Sequence, residues 1–375
     1  MIQRKSFQMY VLKNNFFSKQ IILYAFLSFG FVIRGIWNLR HQEIDNESSL
    51  GGNIFLLLKP FNNIDIKDNG FFIILIFRIF MLLSPILIIT IFEFLSSKDE
   101  SIKDKIISTS IAKTKVSEGS PYSDFFYFLF SIIQSNFTLI VSLLSLGLIT
   151  INSQISEALN SSLNNYIPGS TSEITSTCIF LLSILLLDFI IYLKHFLAHK
   201  IPFLWDLHEF HHSSTEMTIL CKDRNSILQT SFTSLITVPL RIFPAILVSH
   251  YLSSGLIFPF VIFIIDNIAD TAFSHLGHSS LKILYPKPIA YVFMSPSLHW
   301  FHHSSNNQHY DSNFGMKYVF WDKLFGTFIG EEKLGEISEF GVKNTDYNKY
   351  NPLYSWLVLP YIKVFKRLRI YQLLH

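Results

Sequence analysis

The chain has 375 residues, half of them hydrophobic and only 15% charged, with a mean hydropathy of +0.36. A soluble protein carries roughly a quarter charged residues, so the composition argues for several membrane spans joined to one polar part. A net charge of +3 with scattered basic residues gives nucleic acid no footprint, and two cysteines, Cys178 in an apolar run and Cys221 in a polar one, offer no Cys-x-x-Cys site and argue against a disulfide.

A spanning helix needs ~20 mostly apolar residues, and six windows qualify. The first, Phe16–Ile33, has no small-residue cleavage site after it, so a retained span is expected rather than a removable signal peptide. The second, Phe71–Leu95, contains Arg78. The Ser/Lys-rich stretch Ser96–Asp124 follows as an expected flexible connector. Then come Phe125–Thr150, which contains Gln134 and Asn136, Thr177–Leu193, Ile227–Ser249, which contains Arg241, and Leu252–Ala269. Arg78 and Arg241 are expected to snorkel or to lie on tilted helices, because a charge at mid-membrane is costly.

Lys and Arg in the loops set orientation. Arg4, Lys5, Lys13 and Lys19 precede or open the first span, and Lys98, Lys103, Lys105, Lys113 and Lys115 fall between the second and third. The loop 151–176 has neither residue type. A cytoplasmic N-terminus with alternating sides accommodates these, although Arg34, Arg40, Lys59 and Lys67 then lie outside. The expected fold is all-α: a multipass transmembrane helical bundle with a cytosolic histidine-rich cap. Residues 1–175 form an N-terminal membrane region of about three spans, residues 176–330 a histidine-rich domain, and residues 331–375 a cytosolic tail. All the histidine clusters fall on the cytoplasmic side of either a bacterial inner membrane or the endoplasmic reticulum.

Ten of the 14 histidines form four clusters: His195-x-x-x-His199, His208-x-x-His211-His212, His275-x-x-His278 and His299-x-x-His302-His303. Imidazole is the commonest protein ligand for redox and Lewis-acid metals. Residues three and four apart share a helix face, so one turn of each H-x-x-H-H unit presents three rings, to one ion or to two. The isolated His41, His250, His309 and His375 read as packing or interfacial residues. Asp188, Tyr192, Glu209, Asp270, Asp311 and Asp322 flank the clusters and are candidates to accept the spare ring N–H, as supporting groups of metal ligands do.

Three other readings compete. His208-Glu209-Phe210-His211-His212 also satisfies the H-E-x-x-H zinc-protease pattern, with Glu209 as general base; that reading leaves the other clusters without a role and fails at the second copy, where Trp300 replaces the Glu. A histidine-rich metal transporter would spread its histidines along the spans instead of at their ends. A non-catalytic lipid-binding membrane protein is opposed by the complete clusters.

In these motifs the chain resembles the fatty acid hydroxylase superfamily, which includes the sterol desaturases. Asp188 to His199 resembles its first histidine box and Leu204 to Ser213 its second, while Tyr310-Asp311-Ser312-Asn313-Phe314-Gly315 and Trp321 to Thr327 resemble its C-terminal signature. The resemblance covers roughly residues 181–328. It implies an integral membrane, non-haem di-iron oxidoreductase that hydroxylates or desaturates a lipid (a sterol, a fatty acyl chain or a related molecule) with dioxygen. It further implies a cytosolic metal-binding cap, a di-metal domain within residues 176–330, that holds two iron ions, with ligands at His195, His199, His208, His211, His212, His275, His278, His299, His302 and His303; imidazole sites also accept zinc in purified samples, and with no fused haem domain in the sequence a separate electron-donor protein is expected. No catalytic acid or base apart from the metal centre is implied. Where many relatives carry Arg-x-His-Pro after the second box, this chain has Arg224-Asn225-Ser226-Ile227, which leaves the substrate open.

Overall fold

The computed structural model describes residues 86–97, 101–107, 109–113, 120–131, 172–233, 257–343, 345 and 347–368, together with Tyr10–Val11 and single residues between 237 and 247. The expected first span lies outside the described residues, as do large parts of the second, third and fifth. The described protein is mostly helical. Its one β pairing beyond isolated bridges is a parallel two-residue ladder, Tyr10 opposite Leu281 and Val11 opposite Lys282.

Six helices matter most. They are α1 (Ile86–Ser96), α2 (120–131), α3 (Glu173–Lys200), α4 (Pro202–His212), α5 (227–233) and α6 (Ile257–Leu276). Four short helices follow: α7 (His299–His302), α8 (Phe320–Phe325), α9 (Pro352–Leu357) and α10 (Leu359–Arg367).

α3 begins at Ser172, whose hydroxyl accepts from the Thr175 amide as an N-cap. Its 28 residues span about 42 Å at the α-helical rise. Among the described residues it is the one helix long and apolar enough to cross a membrane. Leu181, Leu182 and Leu186 are exposed along it, an apolar flank that water does not reward.

α3 stops at Ile201 because Pro202 follows: the residue before a proline is driven out of the helical region, and Ile201 is extended at φ −98°, ψ 116°. Pro202 then opens α4, where its missing N–H costs nothing. A one-residue joint therefore separates the helix carrying His195 and His199 from the helix carrying His208, His211 and His212.

The polar face of α4 is clasped by α10. Lys363 donates to Glu209 at 2.6 Å, and Arg367 donates to both carboxylate oxygens of Asp206. Residues beyond 330 also enter the core: Leu334, Ile337 and Phe340 pack with Trp300 and Phe301, while Tyr347 and Trp356 pack with Phe210 and Tyr127. The expected tail is thus a wall of the histidine-bearing body.

The expected flexible connector is corrected in part. It holds helices Ile102–Ile107 and Ser110–Lys113, and it delivers Ser120 and Asp124 to a buried network around Arg224. That guanidinium is fully buried. It donates to Asp124, to Ser213 Oγ at 2.6 Å, to Ser120 Oγ at 2.9 Å and to Asn348 Oδ1 at 3.0 Å, and it lies over the Tyr127 ring. One cation thereby joins α2, the end of α4 and the C-terminal segment.

Candidate metal centre

Nine of the ten predicted ligands converge in two groups. His195, His199, His208, His212 and His302 form one; His211, His278, His299 and His303 form the other. Within each group one ring nitrogen per residue lies within 4.8 Å of every other. The two H-x-x-H-H units are used reciprocally. In each, the first and third histidines, four apart, enter one group, and the middle histidine enters the opposite one. His211 therefore leaves its own helix turn for the four-ring group, and His302 does the converse. The groups abut, with the His212 and His303 rings stacked at 4.4 Å between centroids.

His275 belongs to neither group. α6 ends at Leu276, and the chain turns through Gly277 with Ser279 N bonded to Leu276 O at 3.1 Å. His278 thus lies in the turn beyond the helix that carries His275, and it enters the four-ring group without its motif partner. Gly277 is required for that turn: a Cβ there would stand 2.8 Å from Phe273 O and 3.5 Å from His299 Cβ.

The nitrogen positions fit metal ions. Nε2 atoms lie 3.1 Å apart for His199–His212 and His299–His303, 3.2 Å for His208–His212 and His278–His299, and 3.3 Å for His211–His278. Ligands bound at about 2.1 Å lie ~3.0 Å apart at a right angle and ~3.4 Å apart at a tetrahedral angle. With the ring protons on Nδ1, the facing Nε2 lone pairs repel unless a cation lies between them. The buried Nε2 of His302 has no hydrogen-bond partner, while its Nδ1 is committed to Ser312 O at 2.9 Å. Burial pushes His278 and His302 down to about 3, and it also lowers His208, His211, His212, His299 and His303, with neighbouring imidazoles adding to the effect for these five. The rings stay neutral at physiological pH, the form that binds metal.

Three of the spare ring nitrogens go to backbone carbonyls and one to a side-chain amide, none to the predicted carboxylates, while the buried Nδ1 atoms of His211, His299 and His303 have no hydrogen-bond partner. His195 Nδ1 donates to Phe314 O at 2.9 Å, His302 Nδ1 to Ser312 O, and His278 Nδ1 to Ser274 O at 3.3 Å. His208 Nδ1 faces the Gln229 side-chain amide at 2.8 Å, and Gln229 Oε1 has no other partner; with that oxygen turned to the ring, Nδ1–H donates and Nε2 is free for an ion. Sequence reasoning missed Gln229. It sits in a window read only as a span, and the one signal there was a buried amide in an apolar run.

Two predicted supporting residues act through the loop 310–315. Asp322 accepts from Phe314 N at 2.8 Å, Gly315 N at 2.7 Å and the Thr327 hydroxyl at 2.6 Å, and the Tyr192 hydroxyl reaches Thr327 at 3.1 Å. Asn313, at φ 51°, braces the loop from inside by donating to Leu298 O and Ile329 O and accepting from Ile329 N. Asp311 pairs with Lys200 at 2.6 Å and lies 3.8 Å from His199 Nδ1, too far for a hydrogen bond. Asp188 accepts from Trp321 and lies 4.0 Å from Lys317. Asp270 is exposed on α6. Glu209 is held by Lys363 on the face of α4 that carries no ligand, which removes the base a zinc protease would need.

The helical scaffold gathers nine imidazoles, eight of them buried, in two adjoining groups able to bind metal. Residues 180–327 match the fatty acid hydroxylase family model, and this segment of the chain belongs to the fatty acid hydroxylase superfamily. Among curated relatives, an alkylglycerol monooxygenase of Caenorhabditis elegans is 29% identical over 176 residues, 46% of this chain and 32% of the relative. The alkylglycerol monooxygenase of Homo sapiens is 29% identical over 147 residues, covering 39% of this chain and 29% of the relative. An ornithine lipid hydroxylase of Rhizobium tropici is 28% identical over 148 residues, covering 39% of this chain and 40% of the relative. The chain thus spans less than half the length of these relatives. No solved structure matches it significantly.

Proposed function

We propose that this protein is a membrane-bound, non-haem di-iron oxidoreductase that hydroxylates or desaturates a lipid with dioxygen. The observation that carries the reading is the pair of adjoining all-imidazole groups, with each H-x-x-H-H unit contributing to both. Five and four imidazoles would leave coordination positions open on six-coordinate ions, as reactive rather than structural sites do. His195, His199, His208, His212 and His302 would hold one iron; His211, His278, His299 and His303 would hold the other. When bound, the metals supply dioxygen activation and attack on an unactivated C–H bond, chemistry that no side chain provides.

The chain's own residues keep the imidazoles neutral by burial, fix their tautomers through Phe314 O, Ser312 O, Ser274 O and Gln229, and exclude bulk water. α3 is proposed to cross the bilayer with His195 and His199 at its cytoplasmic end, within a multipass bundle completed by segments outside the described residues. Electrons would come from a separate protein. The relatives named for alkylglycerol and ornithine lipid support a substrate bearing a hydrocarbon chain.

Comparative lipid mass spectrometry of cells with and without the gene tests this reading. The expected outcome is a dioxygen-dependent alcohol or alkene that disappears in a His211→Ala variant expressed to the same level. Identical lipids in all three strains would refute it.

A further inference from the structure

Beside His208 lies a narrow cavity of about 70 Å³ that opens at one end. Leu193 and Leu197 of α3, Leu204 and Leu207 of α4, and Phe232 of α5 give it almost wholly apolar walls. It touches His208 and Gln229, so it reaches a ring of the five-imidazole group and the amide that orients it. Lys194 also lines it. Lys194 is exposed as a whole residue and the walls offer almost no polar surface, which fits a methylene stem lying along the wall and an ammonium at the cavity mouth, partly desolvated by the surrounding protein. None of the lining residues is acidic. Arg241, next to the lining residue Leu240, is within electrostatic range of Lys194 and also of Asp270. Asp270 offsets Arg241, whereas among the described residues no carboxylate lies within ion-pair distance of Lys194.

We propose that the cavity takes the hydrocarbon chain of an anionic lipid and that Lys194 selects this substrate by pairing with its phosphate or carboxylate headgroup. An apolar wall holds a chain without specifying its depth. A charge fixed at the rim sets how far the chain inserts, and so which carbon comes to rest beside His208. The placement beside reactive metals rests on the oxygenase reading above; the preference for an anion does not.

The test is equilibrium binding to the purified full chain in phosphatidylcholine nanodiscs at about pH 8.5, where a carboxylic acid is ionised. The probes are pyrene-labelled hexadecanoic acid and its methyl ester. The acid should bind about tenfold more tightly than the ester. Lys194→Gln should abolish that preference, and Lys194→Arg should retain it. Leu204→Trp, checked for folding by thermal melting, should weaken both probes. Equal affinity for acid and ester in the native chain, or a preference that survives Lys194→Gln, overturns the proposal. A protein that prefers the acid but oxidises no lipid would sink only the oxygenase reading; one that oxidises lipids with no preference for the anion would sink only the role of Lys194.

Discussion

His302 and His303 are neighbours in sequence, yet they face different groups. Each should therefore cost one ion without the other. In iron-reconstituted protein, His302→Ala and His303→Ala should each lower bound metal from two per chain toward one, measured by inductively coupled plasma mass spectrometry. His275→Ala should leave the count at two; a fall to one there would restore the ligand role its spacing suggests. Gly277→Ala works through the backbone, because a methyl cannot stand 2.8 Å from Phe273 O without moving the turn that aims His278. Metal should be lost from the four-ring group first. At Gln229 the effect is on orientation: Gln229→Leu removes the hydrogen bond to His208 and should weaken metal affinity roughly 10- to 100-fold, as loss of such supporting groups does.

Among the elements, the loop 310–315 is the part of the site that carries no ligand and still decides its geometry. Its carbonyls at Ser312 and Phe314 receive His302 and His195, from α7 and α3. Asp322 holds the loop by three hydrogen bonds, and a Cβ on Gly315 would come 2.6 Å from that carboxylate. Asp322→Ala should thus lower activity and loosen one ion while leaving every ligand in place. Loss of metal affinity together with a normal helical circular dichroism spectrum is the expected signature.

The joint among α2, α4 and the C-terminal segment depends in the same way on Arg224. Removing one partner of a buried pair leaves an uncompensated charge, so Arg224→Ala should cost about 3–5 kcal/mol of stability, with much of it recovered in Arg224→Met combined with Asp124→Leu. Equal melting temperatures for the single and double variants would show that the pair is not what joins these elements.

For the molecule as a whole, burying so many imidazoles ties stability to pH. A ring whose folded pKa is pushed below the roughly 6.5 of the unfolded chain takes its proton only on unfolding. For His278 and His302, the stabilisation is complete above pH ~6.5 and is lost as pH falls toward about 3, at ~1.4 kcal/mol per pH unit per ring. Bound metal requires the same neutral rings and acts in the same direction. The melting temperature of chelator-treated protein in detergent should therefore drop between about pH 7 and pH 5.5; a flat profile would mean that the rings are not buried neutral in solution.

Much of this protein is legible from residue order. The periods of three and four in the histidine motifs announce shared helix faces, Pro202 marks the break between the two ligand helices, and the apolar excess of α3 follows from composition. Local spacing encodes these features because a helix turn places neighbours by geometry alone. What spacing does not hold is the direction a ring takes across the fold. The division of each H-x-x-H-H unit between two groups, the exclusion of His275, the use of carbonyls in place of carboxylates, and the roles of Gln229 and Arg224 all depend on contacts between segments up to 124 residues apart. Only the packed chain brings those partners within hydrogen-bonding distance, so only the tertiary structure decided them.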